Sequence, residues 1–249
     1  MKHLLPFLFL VTFVLWAPAE PPCVTTSCSE SVKTIADCPD DGCNAKNAKK
    51  HDHPIDPQLD KLKNIRSDNQ QSDLRSIQAM KDLSKPSKNF TECGSRDELK
   101  QLGEGQKITV VAWALTARPG NPESCNCDLH SAADTDNHIV LVDPAVKNPT
   151  IKKDEIHSVT AEFTPRVRLD HPNFTRGVLN GKIRKANGKL LVRVTGLQMF
   201  DSGHFFPKDP KLIRATNWEI HPVLKMEFCP NGETCRADSD ENWKDLDNE

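Results

Sequence analysis

The apolar positions fall into a strand-like alternation after about residue 105. "KITVVAWALTA" (107–117) is rich in β-branched and aromatic residues and reads as a strand. "HIVLVD" (138–143) is a second strand, apolar on both faces. "HSVTAEFTPRVRL" (157–169) is a third, setting Val159, Ala161 and Phe163 against Thr160, Glu162 and Thr164. Asn173–Lys185 then carries Phe174, Val178, Leu179 and Ile183 at helical spacing behind Pro172. "KLLVRVTGLQMFD" (189–201) and "ATNWEIHPVLKMEF" (215–228) are the fourth and fifth strands. In the last, Trp218, Ile220, Leu224, Met226 and Phe228 share one face. Glu219, His221, Lys225 and Glu227 share the other.

The order strand, strand, strand, helix, strand, strand is that of the OB-fold, a Greek-key barrel with a helix at one end. The expected class is mostly β, a small OB-like five-stranded barrel with one helix between strands three and four. A β-sandwich with an inserted helix is the structural rival. Gly196 falls where a strongly bent strand needs the absence of a side chain. Ahead of the barrel, Ser95-Arg96-Asp97-Glu98 fits a capping box for a short helix ending near Leu102.

Upstream the texture is polar. Residues 20–50 form a Cys-rich segment, Cys23-x4-Cys28-x9-Cys38-x4-Cys43, with little apolar material. Residues 51–92 form a polar, partly helical linker. Leu59, Leu62 and Ile65 recur at helical spacing there, as do Leu74, Ile77 and Met80. The barrel domain is expected over 95–235. Residues 236–249 hold six acids against two basic residues and read as a solvated acidic tail.

The N-terminus, "MKHLLPFLFLVTFVLWAPAE", has a basic start, an apolar run of about 13 residues and Ala17-Pro18-Ala19 after it. That reads as an export signal over 1–19. The run is short for a membrane span, which needs about 20 residues, and no later run could span. The expected location is periplasmic or extracellular, where disulfides persist. The nine cysteines are then disulfide candidates: Cys23, Cys28, Cys38, Cys43, Cys93, Cys125, Cys127, Cys229 and Cys235. Cys229 and Cys235 flank the turn Pro230-Asn231-Gly232 and should pair with each other. Cys125 and Cys127 suit different partners, with Cys93 a candidate for one. The odd total leaves one thiol free or paired between chains.

"DNHIVLVDP", "AEFTPRVR", "VRVTGLQMFD" and above all "RATNWEIHPVLKMEF" resemble a set of small exported bacterial proteins with a single OB-like domain ending in a Trp-Glu-Ile-His-Pro-Val strand. The resemblance covers about residues 105–228 and implies a fold rather than an activity. Leu197 stands where the resemblance would put a tryptophan after the glycine.

Three acid–histidine pairs fall in or beside strands: Asp136/His138, Asp201/His204 and Glu219/His221. With Glu162 on strand three they are the natural candidates for chemistry. A divalent metal ion wants three or four such ligands converging on one point. His138, Glu162, Glu219 and His221 make the candidate set. In a barrel, however, the apolar face of strand five points inward. Glu219 and His221 then point outward and would meet basic neighbours such as Arg193 or Arg166. No nucleophile-elbow, His-Glu-x-x-His or phosphate-loop pattern occurs, and no catalytic residue is assigned.

The span 166–193 holds eight basic residues and one acid. Arg166, Arg168, Lys182, Arg184, Lys185 and Arg193 are candidate contacts for a polyanion. Nucleic acid is the weaker partner, because stacking platforms are scarce: there is no tyrosine, and Trp113, Phe163 and Trp218 belong to inward faces. Phe174, Phe205 and Phe206 are the exceptions. The leading expectation is therefore an exported binding module for a polyanion, oligosaccharide or protein partner. The alternatives are a metal-dependent hydrolase using His138, Glu219 and His221, and a structural envelope protein.

Overall fold

A computed structural model describes residues 23–24, 26–45, 55–91, 94–205, 213–230 and 234–248. The expected signal over 1–19, and Cys93 and Phe206, lie outside them. In chain order the elements are α1 (Pro57–Lys63), β1 (Asp73–Arg75), α2 (Ile77–Lys81), α3 (Asp97–Gln101), β2 (Lys107–Pro119), β3 (Asn137–Val142), α4 (Ile151–Asp154), β4 (Val159–Phe163), α5 (Pro165–Arg168), α6 (Arg176–Lys185), β5 (Leu190–Phe200), β6 (Trp218–Phe228) and β7 (Lys244–Asp245).

Strands β2, β3, β4, β6 and β5 follow one another in the sheet, and β5 pairs back onto β2. The sheet thus closes into the five-stranded OB-like barrel that the strand order predicts. Only β4 and β6 run parallel within the barrel, in register Ala161↔Ile220. β2 is long enough to pair with β5 over Lys107–Ala114 and with β3 over Trp113–Pro119. Its inward positions Ile108, Val110, Ala112 and Ala114 are fully buried. They pack with Ile139, Ala161, Phe163, Val192, Trp218 and Ile220 in one apolar core. Helix α6 closes one end with Leu179 and Ile183. Asn180 clips it to the barrel, accepting from Ala117 N at 2.9 Å and donating to Ala117 O at 2.8 Å.

Gly196 stands between two register shifts of the β5–β6 pair. A Cβ there would lie 2.3 Å from the Pro222 carbonyl oxygen. The close approach of β6 therefore requires glycine.

Several local expectations change. The third strand stops at Phe163, because Thr164 caps a new helical turn by accepting from Val167 N and Pro165 sits at its first position. Helix α3 forms, but Ser95 Oγ accepts from Asp97 N at 3.2 Å and no capping box closes. Leu74 belongs to exposed β1, and α2 begins only after the cap Ser76. The residues after 235 are not simply a solvated tail. β7 pairs with β6, and Trp243 and Leu246 are buried. Two apolar side chains give this acidic segment something to bury, and Asp240 and Asp247 find Arg193 and His171.

The Cys-rich segment and α1 return over the outer face of the barrel. Disulfides join Cys28–Cys43, Cys38–Cys127 and Cys229–Cys235, and Cys23 is also disulfide-bonded. The Cys38–Cys127 bond ties this cover to the β2–β3 connection. Cys125, two residues away, is a buried free thiol. Arg166 reinforces the tie by donating to the carbonyls of Cys38 and Pro39. Asn64, at the end of α1, donates to Asp40 O at 2.9 Å and Cys125 O at 3.0 Å. Among the described residues, no helix is long and apolar enough to cross a membrane.

Candidate metal centre

The barrel register builds this site. His138 on β3 pairs directly with Glu162 on β4. The parallel β4–β6 register then brings Glu162 beside His221. The core neighbours Ile139, Ala161 and Ile220 point inward, so these three point outward. Outward is not solvent here. Glu219 is 1 % exposed and His221 0 %. The expectation of surface partners fails because the cover lies over this face. Arg193 instead pairs with Glu227 further along the strands, and Arg166 serves the cover.

All three acid–histidine pairs reach one continuous polar chain. His138 Nε2 is 3.3 Å from Glu162, and His221 Nδ1 is 3.3 Å from Glu162 and from Glu219. Glu219 accepts from Arg214 at 2.9 Å, Arg214 donates also to Asp201, and Asp201 meets His204 at 2.8 Å. Asp136 lies behind this chain. Its carboxylate, that of Glu162 and a ring nitrogen of His221 lie within 4.8 Å of one another. Glu162 and His221 of the expected metal set therefore come together, with His138 beside them. Glu219 is engaged by Arg214, and Asp136 takes its place.

A cavity of about 630 Å³ opens between cover and barrel; it reaches Glu162, with Asp136 and His221 behind its lining. His138, Glu162, Asp201, His204, Arg214 and Glu219 line it from the barrel, and Lys63 from α1. Glu123, from the β2–β3 connection, pairs with Lys63 at 2.5 Å. Acids dominate the lining, with eight carboxylates against three lysines and arginines. Such a cavity attracts cations and disfavours polyanions.

Four buried atoms of the cluster make no hydrogen bond among the described residues: Asp136 Oδ1, His138 Nε2, Glu162 Oε2 and His221 Nε2, although His138 Nε2 and Glu162 Oε2 face each other at 3.3 Å. Buried polar atoms are nearly always satisfied, and a group left unpaired calls for a water or an ion. Burial, then the neighbouring Glu219 and Asp136, push the Glu162 carboxyl well above the ordinary carboxylate range. Burial and Glu123 raise Asp136 in the same way. Burial works against ionising Glu123 too, but the Lys63 ammonium holds it down to about 2. Two oxygens and an imidazole nitrogen form a donor set for zinc or a similar divalent ion.

The basic candidates do not assemble into one surface. Arg168 donates to the carbonyls of Ala133 and Thr135. Arg193 bonds Glu227 and Asp240 and stacks over Trp243. Lys182 lies 3.9 Å over the Phe228 ring. Arg184 and Lys185 are exposed on α6. Phe174 stacks on Phe163 in the core, and Phe205 packs on Phe200, so neither is a platform. Trp113 is half-exposed rather than inward, with Lys189 over its ring.

Reasoning from sequence leaves Lys63, Glu123 and Arg214 out of the site and reads Cys125 as a disulfide candidate. The odd cysteine total is the signal that points toward a special Cys125. No family model matches the chain, and no curated protein matches it.

Proposed function

We propose that this protein is an exported, divalent-metal-dependent hydrolase whose centre is Asp136, Glu162 and His221. One observation carries the reading: Asp136 from the β2–β3 connection, Glu162 from β4 and His221 from β6 converge within 4.8 Å, and Asp136 Oδ1 and His221 Nε2 are buried with no partner among the described residues. A bound divalent ion would supply an activated water at neutral pH. His138, beside Glu162 and partly open to the cavity, would be the nearby group able to accept a proton. Glu219 and Arg214 orient His221, as outer partners orient metal-bound imidazoles. The acidic lining favours substrates that are neutral or cationic around the scissile bond. Export is supported by the disulfides, which persist in oxidising compartments, and by the apolar N-terminal run.

The test is elemental analysis after incubation with Zn²⁺, Mn²⁺ or Co²⁺ and exhaustive dialysis. We expect one ion per chain, none in His221→Ala or Asp136→Asn, and metal-dependent turnover in a panel of ester, amide and glycoside substrates. A wild-type protein that retains no ion of any of the three overturns the reading.

A further inference from the structure

We propose that Glu123, Cys125 and Asp136 form a second cation subsite beside the first, in which the Lys63 ammonium is the resident cation. This rests on the first centre, with which it shares Asp136. Glu123, Cys125 and Asp136 each bring a donor atom within 4.8 Å of the others. Cys125 Sγ stands 3.6 Å from Glu123 Oε2. The same Oε2 accepts from Lys63 Nζ.

Asp136 is placed to bridge. Its Oδ2 accepts from Asn126 at 3.1 Å, whereas Oδ1 has no partner and the residue is fully buried. Lys63 comes from a different part of the chain. Helix α1 carries it into the cavity, and Asn64 fixes the end of that helix to the carbonyl of Cys125 itself. The ammonium is thus delivered by the cover onto a donor set built by the β2–β3 connection.

Charge balance explains the choice. Glu123, Asp136 and Glu162 bring three negative charges when ionised, Glu219 being matched by Arg214. One divalent ion together with Lys63 cancels them. Without the ammonium, a second divalent ion bound to Cys125 restores the same balance. The thiol then releases its proton to solvent as the metal–sulfur bond forms. A donor set containing a thiolate selects zinc or cobalt over magnesium or calcium.

Cobalt gives a direct readout, because a thiolate ligand adds a sulfur-to-cobalt charge-transfer absorption in the near ultraviolet. Full-length wild type loaded with Co²⁺ should hold one ion per chain and lack that absorption. Lys63→Met should hold two ions and show it. Lys63→Met with Cys125→Ser should lose the absorption again. Lys63→Gln, measured alongside with circular dichroism, gives the same readout where the methionine variant does not fold. One ion and no sulfur absorption in folded Lys63 variants overturns this proposal alone. A sulfur absorption already present in wild type also overturns it, since Lys63 would not then be the occupant. A wild type that binds no cobalt, zinc or manganese overturns the earlier reading before any Lys63 variant is made.

Discussion

Glu162 on β4 and His221 on β6 stand 3.3 Å apart on the outward face of the barrel, yet both are buried. The Glu162 Oε2 involved also lies 3.3 Å from His138 Nε2, and neither contact has hydrogen-bond geometry. Two neighbouring strands have brought an acid and an imidazole together, and the chain before residue 64 covers them, leaving a cavity that Glu162 lines. Such an arrangement is costly unless something compensates the buried charge.

Glu162→Gln separates a metal ligand from a structural acid. The amide keeps the shape and removes the charge. Zn²⁺ affinity should fall by more than about 100-fold, the upper end of the loss caused by removing an outer partner. The metal-free variant should melt at or above the metal-free wild type, because burial already disfavours the charge that the amide removes. Titration calorimetry and melting with a chelator present measure both. Wild-type affinity in the variant would remove Glu162 from the ligand set.

Asp60 gives a pH prediction. It is 3 % exposed on α1, and burial pushes its carboxyl up from 3.8 to about 7. Lys63 and a hydrogen bond from Ser124 favour the ionised form, and Glu123 and Asp56 oppose it. The unfolded chain releases this proton near the ordinary value, the folded chain only near 7. Between those values the folded state binds more protons, so stability falls as pH rises. The loss is on the order of 4 kcal/mol, complete above about pH 7. Asp60→Asn lacks this slope, so its advantage over wild type should grow between pH 4 and 7 and then level off. Urea unfolding at several pH values tests this, and parallel stability curves would refute it.

The barrel was legible in the sequence because its signals are local. The alternation of Val159, Ala161 and Phe163, and of Trp218, Ile220 and Met226, named the inward face correctly. It also named the outward face, with Glu162, Glu219 and His221 on it. What it could not show is that outward means covered. The contacts that cover this face, Lys63 with Glu123 and Cys38 with Cys127, join residues 60 and 89 positions apart. No period or spacing reports them, and the polar composition around Cys38 and Lys63 resembles that of a solvated linker. The partners of the basic run were illegible for a related reason: Arg166, Arg168 and Arg193 bond internal carbonyls and acids that only the tertiary structure supplies.

Arg96 should be a hub of stability. It is fully buried and donates to Glu104, Asp56, Ser202 and the Phe200 carbonyl. Arg96→Met leaves Glu104 as a buried, unpaired charge and should cost about 3–5 kcal/mol. Adding Glu104→Gln removes that charge and should recover a large part of the loss. Denaturant unfolding of the single and double variants decides, and a double variant no more stable than the single would contradict the charge argument.

Arg166 separates the two roles open to the basic run. Its side chain is 8 % exposed, and its two terminal nitrogens donate to Cys38, Pro39 and Asp40. Arg166→Ala should therefore cost about 1–3 kcal/mol through the buried acceptors it abandons. Amide exchange should quicken over 35–43, where the cover loses its anchor. Retention on heparin resin should stay at the wild-type value, because no donor of Arg166 faces solvent. Arg176, Arg184 and Lys185, by contrast, are exposed on α6. A clear fall in retention for folded Arg166→Ala, with exchange over 35–43 unchanged, would return Arg166 to a ligand surface and loosen its assignment to the cover.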